Sequence, residues 1–283
     1  MHRALAFALT LVPALAVGGF VALSRGVEAK EVSPAETANA WPYLSSGELA
    51  FREGDTEFMG VEAHPKGEGR KPAVLVVHDW MGVSPFVDEK VVQLSKMGYV
   101  AFGADVYGKG VRPKSPQEAG ALAGKYKSDR ATFRQRLAWA LRELVKRPDV
   151  DPKRVVAIGY CFGGTGVIEL ARSGADLAGV ISFHGGLDSP TPADGKNIKA
   201  KVLALHGADD PYVPAADVLA FQEELRAAKV DWQFVAYGGA VHAFTNPAAG
   251  NDVSKGAAYD AAADRRSWQA ATAFFTEVFA PGK

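Results

Sequence analysis

The residue pattern with the most specific chemistry surrounds the only cysteine of the chain. Cys161 lies in the sequence GYCFGG, which follows an apolar, β-branched stretch and precedes a helix-forming one. A nucleophile on a sharp turn between a buried strand and a helix is typical of acyl-transfer enzymes. The helix N-terminus favours a thiolate there, and the N–H of Phe162 can stabilise an oxyanion. We predict that Cys161 is a nucleophile, with a buried, inert thiol as the alternative.

A nucleophile of this kind needs an acid and then a base further along the chain. His242 is the only histidine beyond the region where the acid is expected. Asp209 and Asp210 both follow the apolar stretch KVLALH. We favour Asp210, because the proline after it would hold it on a stiff turn, and Asp209 stays the alternative. We expect His184 and His206 to be packed or hydrogen-bonded neighbours of the site rather than bases.

The elements that must position these residues are alternating strands and helices. Apolar runs such as AVLVVH and RVVAIGY alternate with amphipathic stretches. This order predicts an α/β fold with a mostly parallel central sheet and helices on both faces. Ligands bind such sheets beyond the carboxyl ends of the strands. The predicted strand exits carry His78-Asp79, Cys161, His184, Asp210 and His242.

The first 29 residues have the features of an export signal. A short basic start precedes the apolar run Ala4–Leu23, and the small residues of Val27-Glu28-Ala29 fit a cleavage site. We predict a periplasmic or secreted protein without stable membrane insertion after cleavage. An uncleaved N-terminal anchor is the alternative, because the run is nearly long enough to span a bilayer. The predicted segments are 1–29 as signal peptide, 30–47 as N-terminal extension and 48–283 as a single α/β domain.

Composition narrows the partners. Lysine plus arginine and aspartate plus glutamate are equal at 32 each, so no nucleic acid or anionic surface is expected as a partner. One cysteine rules out an internal disulfide. Because histidine, cysteine and aspartate show no zinc-like spacing, we predict neither a metal nor an organic cofactor. We expect a monomer.

Several motifs together resemble the dienelactone hydrolase family of α/β-hydrolases, over most of residues 48–280. They are GYCFGG at 159–164, DDPYVP at 209–214, GGAVHAF at 238–244, and HDWMGVSPFV at 78–87 followed by MGYVAFGADVYG at 97–108. The resemblance implies a hydrolase of small-molecule esters or lactones with the triad Cys161, Asp210 and His242. A non-catalytic binding protein and a thiol redox protein on the same scaffold are the alternatives.

The resemblance also implies roles around the triad. Trp80 matches the second oxyanion donor, and Asp79 matches the acid that influences thiol protonation, although the family usually has glutamate there. Asn246 stands where carboxylate-binding members have arginine. No motif places Arg112, Lys114, Lys125 or Lys127 in the pocket, so we expect neutral esters and lactones to be preferred. The expected apolar pocket side chains are Trp80, Met81, Phe86, Phe162, Tyr212 and Phe244, with Phe86 and Phe244 the first candidates for plain core.

Overall fold

The fold centres on one mixed sheet. A computed structural model describes residues 44–280, and the predicted signal peptide lies outside the described residues. The sheet has the strand order β1-β2-β4-β3-β5-β6-β7-β8; β1 and β2 run antiparallel, and β3 to β8 run parallel. The strands are β1 Leu44–Glu53, β2 Thr56–Pro65, β3 Lys71–Val77, β4 Val100–Ala104, β5 Val150–Tyr160, β6 Gly179–Phe183, β7 Lys201–Gly207 and β8 Trp232–Tyr237.

Six α-helices of the described residues cover the two faces of this sheet. They are α1 Pro85–Lys96, α2 Pro116–Ser128, α3 Arg130–Val145, α4 Phe162–Arg172, α5 Ala215–Ala227 and α6 Ala261–Val278. Apolar side chains of α1 and α6 pack on one face, and those of α2, α3, α4 and α5 on the other. The predicted α/β-hydrolase architecture is thereby confirmed.

The central strands follow directly from their apolar runs. All five residues of β4 and all five of β6 are buried, as expected for parallel strands covered on both faces. The first strand, β1, was not predicted; it forms a hairpin with β2 and begins inside the segment predicted as an extension. None of the helices between residues 44 and 280 combines the length and apolar character that a bilayer-crossing segment requires.

Two helices begin later than their apolar pattern suggests. The helix after β7 begins at Ala215 rather than at the apolar Val213, because Pro214 disfavours a helical conformation of the residue before it. The closing helix begins at Ala261 rather than Ala257, because the Asp260 carboxylate accepts a hydrogen bond from a first-turn amide and caps the helix. The segments between each preceding strand and these helix starts therefore remain loops. One of these loops carries the candidate acid and the other carries the candidate base.

Candidate active site

The turn between β5 and α4 has the geometry that the glycine-rich motif predicts. Cys161 has φ 53° and ψ −112°, a strained conformation for a residue other than glycine. A Cβ at Gly159 would lie 2.0 Å from the Gly163 carbonyl oxygen, and one at Gly163 would lie 2.3 Å from the Val77 carbonyl oxygen. Strand, turn and helix can therefore approach this closely only with glycine at both positions.

Backbone strain of this kind concentrates near Cys161. Among the described residues other than glycine, positive φ occurs at Cys161, His184, Ala243 and Lys229. The first three line the same cavity. Strained residues that cluster in this way are a common feature of active sites, where surrounding structure holds them in place.

His242 lies between an aspartate and the cysteine. Its Nδ1 is 2.8 Å from Oδ2 of Asp210, whose side chain is 0% exposed. The other oxygen, Oδ1, accepts the amide N–H of Tyr212 at 2.9 Å and so fixes the carboxylate. Asp209 points elsewhere and accepts the N–H of Gly239 at 3.0 Å. Of the two candidate acids, the structure places Asp210 against the imidazole ring.

The electrostatics of His242 favour a charged ring. Burial disfavours the imidazolium, but the adjacent Cys161 thiolate and the hydrogen bond to Asp210 outweigh burial and raise the pKa of His242 to about 10. The ring also forms a hydrogen bond with the Cys161 side chain. The arrangement therefore favours a protonated imidazole ring at His242.

His184 contacts the backbone of Cys161. Its Nδ1 accepts the backbone N–H of Cys161 at 3.2 Å, and its Nε2 lies 2.8 Å from Oγ1 of Thr245. Because Nδ1 accepts, the ring proton belongs on Nε2, where it is donated to the threonine hydroxyl. Burial lowers the pKa of His184 well below its usual value. His184 is thus a neutral, hydrogen-bonded neighbour of the site.

A second buried histidine holds the loop after β3. His78 donates from Nδ1 to the carbonyl of the next residue at 2.6 Å and accepts the Val106 N–H on Nε2 at 3.1 Å. The Tyr107 hydroxyl donates to the Trp80 carbonyl at 2.9 Å. These bonds fix the backbone of Trp80 at the cavity wall beside Phe162. The N–H of Phe162 is the first of α4, where helix geometry supplies no acceptor.

The two departures from the family pattern, Asp79 and Asn246, contact each other. Asp79 accepts the Met81 amide N–H at 2.8 Å and forms a hydrogen bond with the Asn246 side chain. Burial raises the pKa of Asp79, and both hydrogen bonds and the charge of His242 offset part of that rise. Sequence reasoning treated the two positions separately. Their contact makes them one polar patch in the cavity wall.

The cavity at these residues has a volume of about 560 Å³. Met81 and Tyr212 line it as predicted, and so does Phe86. Phe244 was expected as a pocket residue and was also a first candidate for plain core. It belongs to the core, because its fully buried ring packs between the rings of His184 and Tyr237. Lining residues that the sequence did not suggest are Ala123, Lys127, Tyr160, Thr165, Gly186, Val213, Thr245, Ala248, Ala249 and Ala257.

One lysine side chain lines the cavity wall. Lys127, at the end of α2, lines the cavity. Arg112 instead contacts the buried Asp105 carboxylate at 3.3 Å and neighbouring carbonyls. Within residues 44–280, no group of three or more histidine, cysteine, aspartate or glutamate side chains could hold a metal ion.

The arrangement is that of an α/β-hydrolase: a mostly parallel sheet carries Cys161 on the tight turn after β5, Asp210 after β7 and His242 after β8. Residues 58–279 match the dienelactone hydrolase family, and the chain belongs to this family. It is therefore an enzyme of the ester and lactone hydrolase class.

Known relatives cover most of the domain. A putative carboxymethylenebutenolidase of Aquifex aeolicus is 30% identical over 80% of this chain and 96% of its own length. An uncharacterized protein of Caenorhabditis elegans is 38% identical over 54% of this chain and 99% of its own.

Solved structures agree with that assignment. The structure of m3DLH has 38% identity and a TM-score of 0.81 over 84% of this chain and all (100%) of its own. A dienelactone hydrolase-like promiscuous phosphotriesterase from metagenomic libraries has 36% identity and a TM-score of 0.79, over 83% of this chain and 99% of its own.

Proposed function

We propose that the protein hydrolyses carboxylic esters or lactones with Cys161 as a covalent nucleophile. The observation that carries this proposal is the position of His242, which contacts the Asp210 carboxylate on one side and the Cys161 side chain on the other. Nucleophile, base and orienting acid then form the arrangement that covalent acyl transfer requires. The names of the relatives, which include a carboxymethylenebutenolidase and a probable lactonase, support the substrate class.

In the first half-reaction, the Cys161 sulfur attacks the substrate carbonyl carbon and a C–S bond forms. The carbonyl oxygen takes up negative charge within reach of the N–H groups of Phe162 and Trp80. As the tetrahedral intermediate collapses, the C–O bond to the leaving group breaks. The protonated His242 gives its Nε2 proton to the departing oxygen. An acyl thioester and a neutral imidazole remain.

In the second half-reaction, His242 accepts a proton from water, and the hydroxide oxygen attacks the thioester carbonyl. The C–S bond then breaks, which releases the carboxylic acid and restores the thiolate beside the imidazolium. Asp210 holds the ring through Nδ1, so that Nε2 faces the sulfur throughout, and its charge stabilises the imidazolium.

Asp79 acts on the same thiol through charge in this proposal. It lines the cavity with Cys161. Burial raises the pKa of the nearby Tyr107 hydroxyl most, and the charges of Cys161 and Asp79 raise it further. An ionised Asp79 would oppose a thiolate, and a protonated one would permit it. Asp79→Asn should therefore shift iodoacetamide alkylation of Cys161 toward lower pH, whereas Asp209→Asn should leave that profile in place.

We also propose export and a monomeric state. The sequence of residues 1–29 supports a cleaved signal, which predicts a mature protein that begins at Lys30. Intact mass of the protein recovered from the periplasm measures this directly, and a full-length membrane-bound species would contradict it. Light scattering of the purified mature protein measures its mass in solution, and a dimer would contradict the monomer.

The decisive experiment combines Cys161→Ala with a panel of activated esters and lactones. Cys161→Ala should retain its fold by circular dichroism and lose kcat/KM by several orders of magnitude, as removal of a triad nucleophile does. In the unmodified protein, one equivalent of iodoacetamide should abolish turnover. Retained turnover in Cys161→Ala would overturn the mechanism. No turnover by either protein would indicate a binding protein, and rapid, reversible oxidation by peroxide would indicate redox function.

A further inference from the structure

The end of the cavity around Gly186 differs from the rest of its wall. A Cβ at Gly186 would lie 3.1 Å from Nζ of Lys127 and 3.1 Å from Oγ1 of Thr165. The ammonium and the hydroxyl therefore face one small space, and glycine leaves that space open. Most other lining residues are apolar or belong to the triad and its loops.

Neither polar group has a partner in the part of the chain that the structure describes. Thr165 is 1% exposed, and its hydroxyl oxygen has no hydrogen-bond partner among residues 44–280. Across the same residues, Lys127 forms no ion pair or side-chain hydrogen bond. A buried hydroxyl without a partner costs free energy that a ligand able to accept its proton would recover. An ammonium beside it selects an anionic ligand.

The one carboxylate nearby is already neutralised. Oδ1 of Asp188 would lie 3.2 Å from the same Gly186 position, but its Oδ2 pairs with the Arg130 guanidinium at 2.6 Å. The charge of Lys127 therefore remains for a group in the cavity. One ammonium beside one hydroxyl suits a single carboxylate group.

The position of Thr165 along α4 links this space to Cys161. Thr165 follows Cys161 by one turn of α4, and its N–H donates to the Cys161 carbonyl at 3.2 Å. Four residues of α-helix rise about 6 Å. A linear acyl chain with about three methylenes between its two carboxyl carbons covers that length.

We infer that Lys127 and Thr165 form a subsite for a carboxylate of the substrate, so that monoanionic half-esters of short dicarboxylic acids are favoured over neutral esters. This inference rests on the proposed hydrolysis. The preference for neutral substrates was expected because Asn246 is uncharged, and Asn246 lies on the His242 side of the cavity. The positive charge of Lys127 lies at the Gly186 end.

The test compares two substrates with the same acyl chain and leaving group, 4-nitrophenyl hydrogen glutarate and 4-nitrophenyl methyl glutarate, in which a methyl ester replaces the free carboxylate. The measured quantity is the ratio of their kcat/KM values, charged over neutral. Lys127→Met should lower this ratio about tenfold, which equals about 1.4 kcal/mol. Thr165→Val should lower it by a smaller factor, and Lys127→Arg should keep it within about threefold of the unmodified enzyme.

Lys125→Met is the matched control, because Lys125 is an exposed lysine of the same helix. It makes the same change in net charge and should leave the ratio unchanged. An equal fall in Lys125→Met, or no fall in Lys127→Met, would overturn the subsite. If Thr165→Val does not fold, Lys127→Met decides alone.

Calorimetric binding of monomethyl glutarate, which carries a single carboxylate, to Cys161→Ala separates the subsite from the proposed reaction. The dissociation constant should rise about tenfold when Lys127→Met is added, whether or not the enzyme hydrolyses either ester. Turnover of the neutral ester without this change means that only the subsite is wrong. A tenfold change without turnover of either ester means that only the proposed reaction is wrong.

Discussion

Two histidines, His242 and His184, have ring centroids 5.2 Å apart, and their pKa values are shifted in opposite directions. His242 contacts the Asp210 carboxylate and the Cys161 side chain, and its pKa is raised to about 10. His184 contacts the N–H of Cys161 and the hydroxyl of Thr245, and its pKa is lowered well below the usual value. One ring is positioned to carry a proton and the other to remain neutral.

Burial alone does not explain this difference. The side chain of His242 is 13% exposed and His184 is 2% exposed, so both rings are largely removed from water. What differs is the charge of the partners. The Asp210 carboxylate and the Cys161 side chain outweigh the desolvation of His242, whereas both hydrogen-bond partners of His184 are neutral dipoles. The positive charge of His242 further lowers the pKa of its neighbour.

Removing the charged ring should have the largest effect. In His242→Ala, the thiolate loses its countercharge and the leaving group loses its proton donor, so kcat/KM for an activated ester should fall about 10³-fold or more. Alkylation of Cys161 by iodoacetamide at pH 7 should also slow markedly. Unchanged alkylation would show that the thiolate does not depend on this imidazolium.

Removing the carboxylate tests what holds the charge in place. Asp210→Asn should lower kcat by about 10² to 10⁴-fold, because the amide can neither fix the tautomer nor stabilise the imidazolium. Asp209→Asn is the matched control and should change kcat by less than about threefold, since the Asp209 carboxylate contacts only an exposed loop amide in this region. The reverse ranking would assign the acid to Asp209.

Altering the neutral ring should have an intermediate effect. His184→Leu leaves the Cys161 N–H with the Phe183 carbonyl as its remaining acceptor at 3.0 Å. We expect about a tenfold loss in kcat and a stability loss of about 1–3 kcal/mol.

The pH–rate profile and a second variant show whether His184 positions the turn or transfers a proton. His184→Gln, which offers an amide oxygen as acceptor, should recover part of the loss. The apparent pKa values of the profile should stay in place in both variants, because His184 positions the turn and transfers no proton. A displaced profile would mean that His184 titrates during turnover.

The smallest effect concerns stability against pH. His78 has its pKa lowered to about 4 by burial, and that of His184 is lowered as well. Below pH 6.5 these histidines bind protons in the unfolded chain but stay neutral in the folded protein. The free energy of unfolding therefore decreases as the pH falls. Between pH 6.5 and 5.5 the free energy of unfolding should drop by about 1 kcal/mol for each such histidine.

Urea unfolding at a series of pH values measures this slope. His184→Leu should reduce the slope by the share of one histidine while the slope of His78 remains. A slope that is unchanged in His184→Leu would show that His184 is not neutral in the folded protein.

The sequence predicted the parts of the site that local chemistry dictates. Glycines around Cys161 permit only one kind of turn, and chain order selects His242. The sequence did not predict that Lys127 lines the cavity, because the orientation of α2 over the cavity depends on packing between distant segments. Thr165 was within reach of sequence reasoning, since a residue one helical turn after a nucleophile shares its face.

The inward turn of Phe244 depends on a tertiary contact in the same way. Nothing in GGAVHAF distinguishes a pocket-facing ring from one packed on His184 and Tyr237. The outcome depends on Ala243, whose φ of 58° redirects the chain after His242. A left-handed alanine is rare enough that no propensity argument anticipates it.

The lone cysteine also has a cost in an oxidising environment. Sulfur that is accessible enough to attack a substrate is accessible to peroxide, which converts a thiolate to a sulfenic acid. Many thiol enzymes repair that lesion with a second cysteine of their own, but this chain contains one cysteine in 283 residues. Recovery of Cys161 must therefore come from a reductant outside the molecule, so the working lifetime of the protein is set by its surroundings.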